Sequence, residues 1–217
     1  MRVLESTDPA ERVSQVALAA SALRRGELVV FPTDTVYGVA CDAFSEDGVR
    51  MLNGTKQRGY DDPLPVMIGS LRTLDGIVTG LSPAMRDLVR GFWPGPLTAL
   101  CRAQPSLTWD IGGDGDTVPV RMPLHPLALA IATEVGPLAV LSANLPGQPP
   151  PLTCQAAVDQ LAGAVSVYLD AGECVPSAPS TIVDLTAEPP RVLRAGPFDV
   201  ATLREVLPEL VADDVSA

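Results

Sequence analysis

At 217 residues the chain is long enough for one large domain or two small ones, and it needs neither disulfides nor a bound metal to bury a core. Its 15 basic and 26 acidic residues give a formal charge of −11, which disfavours bulk binding of a phosphate backbone, a task done by clustered lysine and arginine. The opening MRVLESTDPAER lacks a basic-then-apolar leader, and no apolar run reaches the ~20 residues that span a bilayer, so a soluble cytoplasmic protein is expected.

Asp8-Pro9-Ala10-Glu11 reads as an N-cap, a proline at N1 and an acid in the first turn of a helix that stops at Arg24-Arg25-Gly26. A β-rich run over 27–31 resumes at 36–41 after the polar turn Pro32-Thr33-Asp34-Thr35, and a helix follows over 46–54. Residues 64–68 read as a buried strand. Ser82-Pro83 opens a helix that Pro94-Gly95-Pro96 stops, and strands follow at 97–102 and 117–122. The pattern continues with a helix over 125–135, a strand over 138–141, a proline-rich loop, and a helix over 154–161. Strands at 165–169, 181–185 and 191–193 precede a last helix capped by Asp199 and running to 207. Interleaved helices and strands predict an α/β sheet covered by helices. The 181–185 and 191–193 pair is joined too tightly for a helical crossover, so the sheet is expected to be mixed. One domain is expected over 1–210, with a disordered acidic tail over 211–217.

Cys41, Cys101, Cys154 and Cys174 form no C-x-x-C pair, and His125 is the single histidine. Reduced buried thiols are expected, and no metal site. One histidine also leaves little room for a Ser/His/Asp triad, so any chemistry is expected to run on other groups. Among the basic residues Lys56 is the only lysine.

Several short runs could carry function. Phe31-Pro32-Thr33-Asp34-Thr35 ends a strand in a hydroxyl-rich turn, where open α/β sheets bind ligands; an ordinary turn bonding its own backbone would read the same. Gly54-Thr55-Lys56-Gln57-Arg58-Gly59 sets two cations between glycines, which suits an anion, although the P-loop spacing is absent and a solvated helix end is the plain alternative. In Thr117-Val118-Pro119-Val120-Arg121, strand alternation puts Thr117, Pro119 and Arg121 on one face, and a buried Arg121 would need a carboxylate from a ligand or from the protein. Ser142-Ala143-Asn144, Ser180-Thr181 and Arg194-Ala195-Gly196 follow further strands. Each is weak alone.

In order, FPTDTVYGV, Lys56-Gln57-Arg58 followed by DDPLPVMI, FWPGPLTAL, TVPVRMPLHP, LSAN, STIVDL and RVLRAGPF resemble the YrdC family of threonylcarbamoyladenylate synthases, from about Gly26 to Phe198. The resemblance implies a YrdC-like single-domain open twisted mixed sheet with helices, around a large concave pocket. It implies synthesis of threonylcarbamoyl-AMP and pyrophosphate from L-threonine, bicarbonate and ATP with Mg²⁺. The product would go to a transferase complex that modifies adenosine 37 of tRNA. Thr33, Arg121 and Ser180 would lie around L-threonine. Lys56, Arg58, Thr117, Ser142, Asn144 and Arg194 would line the nucleotide, with Lys56 and Arg58 catalytic. Gly59 and Leu145-Pro146-Gly147 depart from the residues many members carry there. A hydrogenase-maturation carbamoyltransferase and a non-enzymatic RNA-binding paralogue are the rival readings; the first lacks its zinc-finger-like cysteines here, and the charge disfavours the second.

Overall fold

The structure, a computed structural model, describes residues 1–212. In chain order the elements are β1 (Arg2–Glu5), α1 (Arg12–Arg24), β2 (Val29–Pro32), β3 (Tyr37–Asp42), α2 (Glu46–Thr55), β4 (Val66–Met67), α3 (Leu71–Ile77), β5 (Val78–Thr79), α4 (Pro83–Phe92) and β6 (Leu97–Ala103). They continue with β7 (Thr117–Arg121), α5 (Pro126–Val135), β8 (Leu138–Ser142), α6 (Cys154–Leu161), β9 (Val167–Asp170), β10 (Thr181–Asp184), β11 (Arg191–Arg194), α7 (Val200–Arg204) and β12 (Val211–Ala212).

The strands form one mixed sheet in the order β1-β9-β2-β3-β8-β4-β7-β6-β10-β11-β12, with β5 beside β6. The tightly joined β10 and β11 pair antiparallel, while β10 runs parallel to β6. All of β2 is buried, because both faces are covered. Val29 and Phe31 pack with Ala19, Leu23, Leu127 and Ile131 of α1 and α5. Leu28 and Val30 face the larger opposite core, shared with Leu52 of α2 and Ala157 of α6. A strand covered on both sides reads as a continuous apolar run, which is what VVFP is.

The sequence placed most of these elements, and four departures have physical reasons. Asp8 does not cap α1: its Oδ1 accepts from the Ala10 N–H at 2.8 Å, closing a local turn, and the helix begins at Arg12. The strand expected over 64–68 shrinks to Val66–Met67, since Pro65 offers no N–H to a ladder. β1, α3 and β5 fall outside the expected pattern. Finally, Val211–Ala212 pair with Arg191–Val192, so the sheet reaches two residues into the stretch expected to be tail; residues 213–217 lie outside the described residues.

Candidate active site

A cavity of about 930 Å³ opens over the middle of the sheet, near the upper end of the range for small-molecule sites. Its floor is built by alternation. On β7 the residues Thr117, Pro119 and Arg121 face the cavity while Val118 and Val120 enter the core, as the period of two requires. β6 contributes Thr98 and Leu100, and β10 brings Ser180 and Ile182 at its start. The β2–β3 turn closes one side with Thr33 and Thr35.

Arg121 is held at three points. Its Nη2 donates to Asp34 Oδ1 at 2.7 Å, Nη1 to Thr35 Oγ1 at 3.3 Å, and Nε to the Gly95 carbonyl at 3.2 Å. Arg121 and Asp34 side chains are 13% and 10% exposed, so the partner a buried arginine needs is supplied by the protein. Arg194 is held differently. Its Nε and Nη2 donate to the Ser180 carbonyl at 3.0 and 2.8 Å, and Nη2 also to Ser180 Oγ at 3.0 Å. Every one of these acceptors is neutral. Burial, then the like charge of Arg121, pushes the Arg194 pKa down from its ordinary value, though not far enough to discharge a guanidinium at physiological pH. Two cations therefore line one cavity, Arg121 paired with Asp34 and Arg194 with no carboxylate partner among the described residues.

The hydroxyls divide. Thr33 lines the cavity, but its Oγ1 donates to the Val36 carbonyl at 2.7 Å and accepts from the Thr35 and Val36 N–H groups at 3.1 and 3.2 Å. A hydroxyl has one proton and two lone pairs, so Thr33 is fully engaged in holding its turn. The Thr33 hydroxyl thus does what the plain-turn reading described, while its side chain lines the cavity. Ser180 Oγ lies 2.8 Å from Thr98 Oγ1. Two hydroxyls sharing one bond leave one proton uncommitted among the described residues, on a pair that lines the cavity.

Of the nine residues singled out from the sequence, Thr33, Thr117, Arg121, Ser142, Ser180 and Arg194 line the cavity. Lys56, Arg58 and Asn144 stand one contact behind it. α2 ends at Thr55, and Gln57 turns the chain with a φ of 47°, a left-handed conformation uncommon outside glycine. Lys56 Nζ then donates to the Ser142 carbonyl at 2.8 Å, to the Asn144 carbonyl, and to Asn144 Oδ1 at 3.2 Å. Burial pushes its pKa down to about 8, while three oxygens around Nζ work the other way by favouring the ammonium. Arg58 reaches Asp62 of the cavity wall at 3.9 Å, and its buried Nη1 has no partner among the described residues. A buried guanidinium nitrogen so placed is a donor that an anion can use.

Asp34, which holds Arg121, and Thr98, which lines the cavity, were not singled out from the sequence, while Thr35 was placed at the sheet edge without a role. Thr98 was findable, since it alternates with Leu100 on a recognised strand. Asp34 was not, because its role depends on Arg121, 87 residues away.

A family model described as Sua5_yciO_yrdC, telomere recombination, matches residues 21–196. A Mycobacterium tuberculosis relative is 47% identical over 203 residues, covering 94% of each chain. A Pyrococcus abyssi protein named threonylcarbamoyl-AMP synthase is 35% identical, over 92% of this chain and 60% of its own length. Among solved structures, P. abyssi Sua5 complexed with L-threonine superposes with a TM-score of 0.91 at 32% identity, over 98% of this chain and 63% of that one. The chain thus spans under two thirds of the Pyrococcus protein.

Proposed function

The chain belongs to the Sua5/YciO/YrdC family, and from that premise we propose that it is an L-threonylcarbamoyladenylate synthase, making threonylcarbamoyl-AMP and pyrophosphate from L-threonine, bicarbonate and ATP. The observation that carries this reading is the cluster of four cations at one cavity, Arg121, Arg194, Arg58 and Lys56, matched by two carboxylates, Asp34 on Arg121 and Asp62 near Arg58. Such a site is short of negative charge. An amino-acid carboxylate, a carbamate and a triphosphate would supply it.

The chemistry asks little of the protein in acid–base terms. Bicarbonate and the threonine amine give a carbamate and water, and the carbamate oxygen is already an anion. It attacks the α-phosphorus, the bond to the bridging oxygen breaks, and pyrophosphate leaves with the electron pair. No side chain has to take a proton from the nucleophile. What is needed is alignment and fixed positive charge around the phosphorus and the leaving group. We assign Arg121 to the L-threonine carboxylate, and Ser180, with Thr98, to its hydroxyl. Lys56, Arg58 and Arg194 face the phosphates; Thr117, Ser142 and Asn144 border the nucleotide. Lys56 already spends three protons on oxygens, so a phosphate oxygen would take one of these from Asn144.

Mg²⁺ would come on the nucleotide's own phosphates and supply further charge neutralisation; among the described residues no three His, Cys, Asp or Glu groups gather to hold a metal. No helix among them is long and apolar enough to cross a membrane. We place the enzyme in the cytoplasm, passing its product to a tRNA threonylcarbamoyl transferase complex for modification at position 37, without binding tRNA tightly itself. Pyrophosphate release from ATP by the purified protein tests the reading. Release should require both L-threonine and bicarbonate; release that ignores either one would refute it.

A further inference from the structure

The Arg121–Asp34 pair leaves loose ends. Asp34 Oδ1 holds the arginine, but Asp34 Oδ2 is buried with no partner among the described residues. His125 occupies the N-cap of α5, makes no side-chain capping bond, and has a buried Nδ1 that is also without a partner. Buried polar atoms are almost always hydrogen-bonded, so each exception asks for an explanation. The Asp34 carboxylate is one of two charged groups whose fields reach His125; the other is Arg12, from the start of α1.

We propose that Asp34 and His125 are positioning residues for the amino-acid site, with the Nδ1–H of neutral His125 serving the free Asp34 oxygen and so fixing the plane of the Arg121 guanidinium. The inference rests on the reading of this cavity as an L-threonine site. A carboxylate held from one end can swing and carry its arginine with it. Held from both ends, it cannot, and a planar donor fork is useful only when its plane is fixed. A turn of the imidazole or a bridging water would join the two atoms as ligand arrives, in the way functional hydrogen bonds tighten.

The arrangement has a built-in sign. Burial pushes the His125 pKa below its ordinary 6.5, Asp34 pulls it back up, and Arg12 pushes it down again. His125 is therefore neutral at pH 7 and charges only in acid. The imidazolium then competes with Arg121 for Asp34, and the guanidinium loses its fixed plane. The KM for L-threonine should rise as pH falls through that depressed pKa, while the KM for ATP holds.

His125 is the chain's only histidine, so its imidazole gives a single, unambiguous NMR titration that needs no enzymatic turnover. Removing the charge with Asp34→Asn should lower the His125 pKa further. In calorimetric titrations of L-threonine without nucleotide, Asp34→Asn and His125→Ala should weaken binding, at least about tenfold for the first. His125→Asn, which keeps a donor near the Nδ1 position, should recover most of the loss and flatten the acid limb. An unmoved His125 titration in Asp34→Asn, or threonine binding unchanged in both Asp34→Asn and His125→Ala, would overturn the proposal. So would equal losses for L-threonine and ATP that track a fall in Tm, since they would mark a general structural role. Wild-type protein that binds L-threonine but releases no pyrophosphate would instead defeat the proposed function.

Discussion

Two arginines, one ending β7 and the other ending β11, face the same cavity and are held by opposite means. Arg121 is anchored by a buried carboxylate, a hydroxyl and a backbone carbonyl, so its charge is largely balanced before any ligand arrives. Arg194 leans on the carbonyl and hydroxyl of Ser180 alone, so its charge is left for the ligand. The contrast separates two uses of one side chain. A balanced, rigid guanidinium is suited to recognising the shape of a carboxylate; an unbalanced one at the rim is suited to attracting and stabilising phosphate charge.

The largest expected effect tests the anchored member. Arg121→Ala leaves Asp34 ionised, buried and unpaired, which should cost about 3–5 kcal/mol of stability, read by denaturant unfolding. Pairing it with Asp34→Asn should recover much of that loss. A single variant as stable as wild type would erase the distinction between the two arginines. Next comes Lys56→Ala, which removes one preorganised charge and should lower kcat/KM by roughly 10²-fold. Near-normal turnover would take Lys56 out of the mechanism and move the burden to Arg194.

Smaller effects sharpen the picture. Serine in place of L-threonine loses only a methyl contact and should cost about 1–3 kcal/mol in kcat/KM. Valine lacks the hydroxyl and should be rejected more strongly, because it leaves the Ser180–Thr98 pair with an unmatched proton. If valine equals serine, shape alone selects. The pH dependence follows from Lys56, whose pKa falls to about 8 on burial. Between about 8 and its unfolded value the unfolded chain binds more protons, so Lys56 makes stability rise with pH there. Activity moves the other way, since the phosphate-binding ammonium is lost as pH passes 8. ATP binding at pH 8 should then take up protons, measurable as a dependence of the binding heat on the buffer. The smallest effect belongs to the rim: Arg194→Ala should change stability by no more than about 0.5 kcal/mol, while raising the KM for ATP. A large loss of stability would show that its charge was compensated after all.

Much of this site was legible before the structure. The period-two reading of TVPVR put Thr117 and Arg121 on one face, and the β2–β3 turn was recognised from its proline and hydroxyls. Periodicity failed where elements are too short to show it: α3 has seven residues, and β5 and β12 have two each. β1 was hidden for another reason, since its exposed edge position mixes Arg2 and Glu5 with Val3 and Leu4. Hydrogen-bond saturation was illegible in principle. That the Thr33 hydroxyl is spent on its turn while the Ser180–Thr98 pair keeps a proton in play depends on partners chosen by the fold, and so does the choice of Asp34 for Arg121.

The strand order also sets a timetable for synthesis. β2 and β3 can close their hairpin as soon as both have left the ribosome, but β1 has β9 as its partner, with Arg2 opposite Val167. At about 5–20 residues per second, the first strand made waits on the order of ten to thirty seconds for its ladder. Through that interval its backbone donors and acceptors are unpaired on a nascent chain, open to mispairing. The strand translated first is among the last to be zipped into the sheet.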